Sequence, residues 1–302
     1  MRLQSQNQTE NEAVGERTTP LRKRKLWRLL VASLVLALAA ATAYGLVWYR
    51  RFYHHVTPQE LSHEVKHSTF AASVRGRDLA LHLYQQENAK EQPLVFFTSG
   101  DGGWSPFCAD VAAHIAATGK TVVGFDAKNY LTTFATSQKP ISPDELTQDY
   151  DTIIKSGAAQ PGLSQNGRMV LAGWSLGAGY SVLVGSNPLI RDRVDQVVAI
   201  SLPVYNELAW KPTDALIYVT HGDPHEKVFN SRQYLPRLDP IPVVMLNATD
   251  DDTSTSRDAQ SLFEAASGPK HLYMIKSSGH HFEGGVSEFY RDLDESLEFV
   301  HK

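Results

Sequence analysis

From about residue 70 onward, short apolar runs alternate with longer segments whose apolar residues recur at helical spacing. No other feature of the chain limits its fold so tightly. Leu79, Leu81 and Leu83 occupy alternate positions, as in a half-buried strand. Pro93–Thr98 is a continuous apolar run, the pattern of a strand covered on both faces. Comparable runs follow at Thr121–Phe125, Met169–Ala172, Val197–Ile200, Ala215–Val219, Val243–Leu246 and His271–Ile275. Helix-length segments lie near 106–118, 143–157, 177–186, 256–266 and 284–300. Such alternation predicts an α/β fold with a mostly parallel sheet and helices on both faces. Ligands of such folds bind beyond the carboxyl ends of the strands, so the loops after the runs are where chemistry is expected.

A second feature stands apart. Leu29–Tyr49 carries no charge, and at about 1.5 Å per residue it reaches about 30 Å, the depth of a bilayer's hydrocarbon core. Trp27 stands at one edge, Trp48 and Tyr49 at the other. Arg22, Lys23, Arg24, Lys25 and Arg28 outweigh Arg50 and Arg51, which places the N-terminus in the cytoplasm and the remainder across the membrane. Ala41-Thr42-Ala43 fits a signal-peptidase site, but the apolar run continues past it and favours an uncleaved anchor. The expected organisation is a disordered, basic cytoplasmic tail at 1–28, a transmembrane helix at 29–49, a stalk at 50–70 and one catalytic domain at 71–302. Residues 202–240, with Trp210 and several prolines, are expected to cover the site.

Net charge of −4 leaves no basic footprint, so nucleic acid is excluded as a partner. The single cysteine, Cys108, excludes an internal disulfide and reads as a small buried residue. His221-Gly-Asp223-Pro-His225 has residue types that suit zinc, but no further cluster at ligand spacing accompanies it, so no metal or cofactor is expected.

The strongest chemical signal is Gly173-Trp174-Ser175-Leu176-Gly177, set between a strand and a helical segment. A serine on so sharp a turn needs small neighbours two residues away on either side, and Gly173 and Gly177 supply them. A serine hydroxyl attacks only when a base takes its proton and a carboxylate orients that base. Downstream, in the serine–acid–histidine order that a strand–elbow–helix fold of this kind uses, a strand runs into Asp250-Asp251-Asp252, and another into Gly279-His280-His281-Phe282. Asp251 is the expected acid and Asp252 its alternative; His280 is the expected base and His281 its alternative. The oxyanion of the tetrahedral intermediate needs backbone donors. Leu176 follows the nucleophile, and Asp101 or Gly102 lies in the glycine-rich loop Ser99–Trp104. These features predict the α/β-hydrolase fold, preceded by one N-terminal membrane helix.

Together, SGDGGW at 99–104, GWSLG at 173–177 and GHHF at 279–282 resemble the VirJ/AcvB family of bacterial virulence proteins, over roughly residues 90–300. The resemblance implies a periplasmic α/β-hydrolase, which the anchor read from Leu29–Tyr49 would hold at the inner membrane, with Ser175 and His280 as the family's serine and histidine and its acid within 250–252; the bare anchor departs from the longer N-terminal region of AcvB-type chains. It also implies an ester substrate, the aminoacyl ester of aminoacyl-phosphatidylglycerol, with a link to type IV secretion in VirJ itself. A general envelope carboxylesterase or lipase, and a non-catalytic secretion partner, are the competing expectations. Trp174 and Leu176 depart from the GYSFG expected of a member, and Asp252-Thr253-Ser254-Thr255 lacks a cysteine.

Overall fold

The structure is a computed structural model and describes residues 20–53, 65–86, 94–136, 139–160, 168–210 and 228–299. It divides into two units, 1–51 and 52–302. In the first, helix α1 (Pro20–Tyr53) contains Trp27–Gly45, a stretch of mean hydropathy 1.7 with none of its residues buried. Among the described residues it is the one helix long and apolar enough to cross a membrane.

The second unit is built on a sheet of eight strands. These are β1 (Val65–Val74), β2 (Arg77–Gln86), β3 (Leu94–Thr98), β4 (Thr121–Phe125), β5 (Met169–Trp174), β6 (Val194–Ile200), β9 (Val243–Asp250) and β10 (Lys270–Ser278). Their order is β1-β2-β4-β3-β5-β6-β9-β10. The six from β4 to β10 run parallel, while β1 and β2 pair antiparallel at one edge. Five helices named here in chain order after α1 cover it: α2 (Pro106–Ala117), α3 (Ala127–Phe134), α4 (Pro143–Ala158), α5 (Leu176–Gly185) and α6 (Ser256–Ala265); a sixth, α7 (Val286–Leu297), follows β10.

The two-residue period of the strands sorts side chains between two cores. Phe96, Leu171, Val197 and Ala199 pack with Tyr130, Tyr150, Ile153, Val182 and Leu262 from α3 to α6. Their neighbours Val95, Phe97, Val170, Ala172, Val198 and Ile200 face the other way, onto Phe107, Val111, Phe289 and Leu293 of α2 and α7. Both faces are therefore apolar, which is why these strands read as unbroken hydrophobic runs.

Several boundaries differ from the sequence reading. Helix α1 begins at Pro20, inside the expected tail, because the basic residues before the apolar run are good helix formers and proline suits a first turn. Both ends of the segment expected to be a stalk belong to flanking elements, and 54–64 lie outside the described residues. The helix continues to Tyr53, and residues 65–70 belong to β1, where cross-strand pairing to β2 from Val65 onward satisfies their backbone groups. Helix α3 was not anticipated; Asp126 caps it by accepting the Asn129 amide. Within 202–240, β7 (Tyr205–Glu207) and β8 (Val228–Asn230) form a short antiparallel ribbon, and Asn206 lies against Gly179 of α5. The run Ala215–Val219, the His221–His225 motif and His54-His55 lie outside the described residues.

Strand β3 has β4 on one side and β5 on the other, so the chain reverses its direction of travel across the sheet between them. The loops leaving β3 and β5 meet at that switch point, and those leaving β9 and β10 open at the same carboxyl edge.

Candidate active site

Ser175 stands between the end of β5 and the start of α5 with φ 55° and ψ −124°. A non-glycine residue held there costs roughly 1–3 kcal/mol, and the surroundings leave it little choice. Its amide donates to Ile200 O at 2.9 Å, and its carbonyl accepts from the Ala178 amide at 2.9 Å. A Cβ on Gly173 would fall 2.2 Å from the backbone of Gly177, and one on Gly177 would fall 2.2 Å from Thr98 O. The two glycines thus let β5, β3 and α5 approach within backbone contact. The Ser175 hydroxyl makes no capping bond to α5, so it is not spent on the helix it begins.

The acid loop places one of its aspartates against a histidine. Asp251 Oδ2 lies 2.8 Å from His280 Nδ1, and Oδ1 lies 3.1 Å away. Oδ1 also accepts the amides of Thr253 at 2.8 Å and Ser254 at 2.9 Å. Ser254 Oγ donates to Ser201 O, anchoring the loop on the end of β6. Asp250 and Asp252 are exposed. Burial raises the Asp251 carboxyl, but the charge and hydrogen bond of His280 and the two amides outweigh it, leaving its pKa below the ordinary value. Burial lowers His280, and Asp251, with Asp101 and Asp252 behind it, overcomes that and leaves it raised. An ionised Asp251 keeps the imidazole proton on Nδ1, which turns the lone pair of Nε2 outward. His280 Nε2 is buried and has no hydrogen-bond partner among the described residues, Ser175 included. Catalytic pairs often tighten only on binding substrate.

The rest of the GHHF segment has separate tasks. Gly279 adopts φ 69°, and Phe282 is fully buried against Phe289 and Phe107. His281 packs its ring on Phe107 and Trp174. Trp174 Nε1 donates to His280 O at 3.1 Å, tying the histidine loop to the residue before Ser175. That link was not read from the sequence, nor was Ser201, which has φ 49° and a buried, unpartnered hydroxyl. Tryptophan inside the five-residue elbow was the available signal for the first; nothing local marks the second.

The loop after β3 closes a turn in which the Gly103 amide donates to Gly100 O at 3.0 Å. A Cβ on Gly100 would lie 3.3 Å from Ser175 Cβ and 3.0 Å from the Trp174 ring, so this turn presses on the elbow. Asp101 and Gly102 occupy its centre, and Leu176 begins α5 on the facing side. Cys108 is buried, which pushes its thiol up to about 11 and leaves it unreactive. Among the described residues no cluster of three or more His, Cys, Asp or Glu is disposed to hold a metal.

The model of the family described as "Bacterial virulence protein (VirJ)" matches residues 92–298. No curated protein matches the chain. Among solved structures, Est1E from Butyrivibrio proteoclasticus is 12% identical, covering 78% of this chain and 99% of its own, with a TM-score of 0.57. A putative dienelactone hydrolase from Klebsiella pneumoniae subsp. pneumoniae is 14% identical, covering 79% and 99%, with a TM-score of 0.59. The esterase domain of a Rhodothermus marinus protein is 18% identical, covering 78% and 98%, with a TM-score of 0.53. These likenesses establish the α/β-hydrolase fold.

Proposed function

We propose that this chain, which belongs to the VirJ family of bacterial virulence proteins, is a serine hydrolase that cleaves a carboxylic ester. The observation that carries the reading is the Asp251–His280 pair, with an unpartnered Nε2, on the loop that Trp174 ties to a strained Ser175. Ser175 Oγ attacks the ester carbonyl as His280 Nε2 takes its proton. Asp251 holds the imidazole and stabilises the imidazolium. The amides of Leu176 and Asp101, with Gly102 as alternative to the latter, receive the oxyanion, helped by the positive end of α5. His280 returns the proton to the departing alcohol, then takes one from the water that attacks the acyl-enzyme and passes it to Ser175 Oγ as the acyl–oxygen bond breaks and the acid leaves.

Helix α1 serves as an uncleaved membrane anchor, with the basic N-terminus in the cytoplasm and the hydrolase domain outside it. An exposed apolar stretch of this length supports that placement. Held at the membrane, the domain meets lipid headgroups at high local concentration. The substrate we favour is therefore the aminoacyl ester of aminoacyl-phosphatidylglycerol, as the family resemblance implies.

A fluorophosphonate probe tests the hydrolase reading. The full-length protein should be labelled, and Ser175→Ala should abolish labelling while keeping its circular dichroism. Folded protein that resists the probe would refute the assignment. Lipid extracts of cells with and without the gene test the substrate: the deletion should accumulate aminoacyl-phosphatidylglycerol, and an unchanged profile removes that lipid as substrate.

A further inference from the structure

The nucleophile and its base stand on different loops, and a misplacement of about 1 Å between reacting groups costs on the order of a hundredfold in rate. Their spacing has to be set by something that touches both loops. The base sits in a tight turn. Ser278 and Glu283 close that turn by exchanging backbone hydrogen bonds of 2.9 Å, and Gly279 and Phe282 within it hold φ of 69° and 61°. One side of the turn is fixed to the acid loop: the Gly279 amide donates to Asp250 O at 3.1 Å, and the His280 imidazole meets Asp251. The other side is fixed by Trp174, whose Nε1 donates to His280 O at 3.1 Å. Trp174 directly precedes Ser175 in the chain, so this bond joins the peptide of the base to the neighbour of the nucleophile. The indole itself is confined. It is 5% exposed, and the rings of Phe107, His280 and His281 pack on it with centroids 5.0, 5.1 and 4.8 Å away. Its edge opposite Nε1 lies against the turn after β3, where a Cβ on Gly100 would fall 3.0 Å from Cε3 and Cζ3.

We infer that Trp174 is a positioning residue: its indole is the rigid spacer that sets where His280 stands relative to Ser175, and its N–H bond to His280 O is what holds the base at that place. The inference rests on the hydrolase reading and deepens it. Asp251 and Trp174 then divide the work on one imidazole. The Asp251 carboxylate fixes its tautomer and supports its charge. The Trp174 N–H acts on the backbone, two bonds removed in kind from the titrating ring, and fixes position alone. The two contributions separate in kinetics. Loss of the Asp251 charge alters how basic His280 is, so it moves the pH at which the site switches on. Loss of the Trp174 bond leaves Asp251 and its bonds in place, so it lowers the rate of serine attack at every pH without moving that midpoint. Binding is untouched as well, because the buried indole offers almost no surface to a ligand.

Replacing Trp174 by 3-benzothienylalanine, introduced at that site alone, tests this with a single-atom change: sulfur takes the place of the indole N–H, and the shape and packing of the ring are kept. The full-length protein in detergent is labelled with the fluorophosphonate at a series of concentrations and pH values, which yields the maximal labelling rate, the half-saturating concentration and the pH midpoint. The maximal rate should fall by roughly 10- to 100-fold, while the half-saturating concentration and the midpoint stay at their wild-type values. Trp174→Phe, which keeps an aromatic ring on Phe107 and His281 but has no N–H, should show the same pattern and serves in place of the analogue should that chain fail to fold; circular dichroism and the denaturation midpoint report on folding. A maximal rate equal to wild type in either folded variant means that the indole only packs, and overturns the inference. A loss accompanied by a shifted midpoint or a weaker half-saturating concentration also overturns it, since Trp174 would then act on the basicity of His280 or on binding. Each of these results leaves the hydrolase reading intact. Failure of the probe to label wild-type Ser175 removes both.

Discussion

Replacing Asp251 by asparagine keeps the shape of the side chain and removes its charge, so it isolates what the carboxylate does for His280. In the reaction the imidazole becomes an imidazolium whose Nδ1 faces Asp251 Oδ2 at 2.8 Å. With charge centres about 4 Å apart and an effective dielectric near 20, their attraction is about 4 kcal/mol. Its loss corresponds to about a thousandfold in rate. Asp252 also acts on His280, but from an exposed position where water screens it, so Asp252→Asn should cost no more than a few-fold. The assay is the second-order rate constant for fluorophosphonate labelling of Ser175, measured across pH for the two variants and the wild type. His280 must be neutral to act as base, and its pKa is raised in the folded protein, so wild-type labelling should climb through a midpoint above the ordinary histidine value of about 6.5. Without the Asp251 charge, burial dominates and the midpoint should move down. Stability follows the same linkage. The raised His280 contributes fully below the ordinary histidine pKa and loses that contribution as pH rises through its folded value. The lowered Asp251 contributes above the ordinary aspartate pKa and loses that as pH falls through its folded value. Asp251→Asn within tenfold of wild type, or Asp252→Asn equally impaired, would refute the assignment of the acid.

The remaining expectations concern the elbow and the anchor. Gly177→Ala sets a methyl 2.2 Å from Thr98 O and 2.6 Å from Ser99 O, both backbone atoms that cannot swing away. It should lower stability by about 3 kcal/mol or more, read as a fall in denaturation midpoint; an unchanged midpoint would mean that α5 does not sit on β3 as described. Ser175→Gly should be more stable than Ser175→Ala by about 1 kcal/mol in urea, because only glycine relaxes at positive φ. Alanine matching glycine there would deny the strain. Leu36→Arg with Leu38→Arg places two charges in the exposed apolar stretch of α1, at about 3 kcal/mol each near a bilayer centre. The wild type should stay in the pellet after alkaline carbonate washing and the double variant should leave it. Retention of both would argue against the anchor.

How far the sequence reached depends on how local each cause is. The parallel strands were legible because a sheet covered on both faces demands unbroken apolar runs, and Leu94–Thr98 and Met169–Trp174 display them. The antiparallel edge was only half visible. Strand β2 alternates cleanly, whereas Lys66, His67, Ser68 and Thr69 of β1 are exposed, and only the ladder to β2 makes them a strand. Helix α3 is short and polar on one face, so its cap at Asp126 carried more information than its periodicity.

By itself the sequence determined the elements, the order of serine, acid and histidine, and the places where glycine had to stand, since all of these are written in neighbouring residues. It could not choose among Asp250, Asp251 and Asp252 on physical grounds, because successive side chains leave a turn in different directions and only the Ser254 and Thr253 amides fix which one faces inward. Nor could it show Trp174 reaching His280 O, or the Asp101 turn pressing on Ser175, contacts between residues far apart in the chain. Those follow from the order in which strands meet in the sheet, a property of long-range packing that no short stretch of chain encodes.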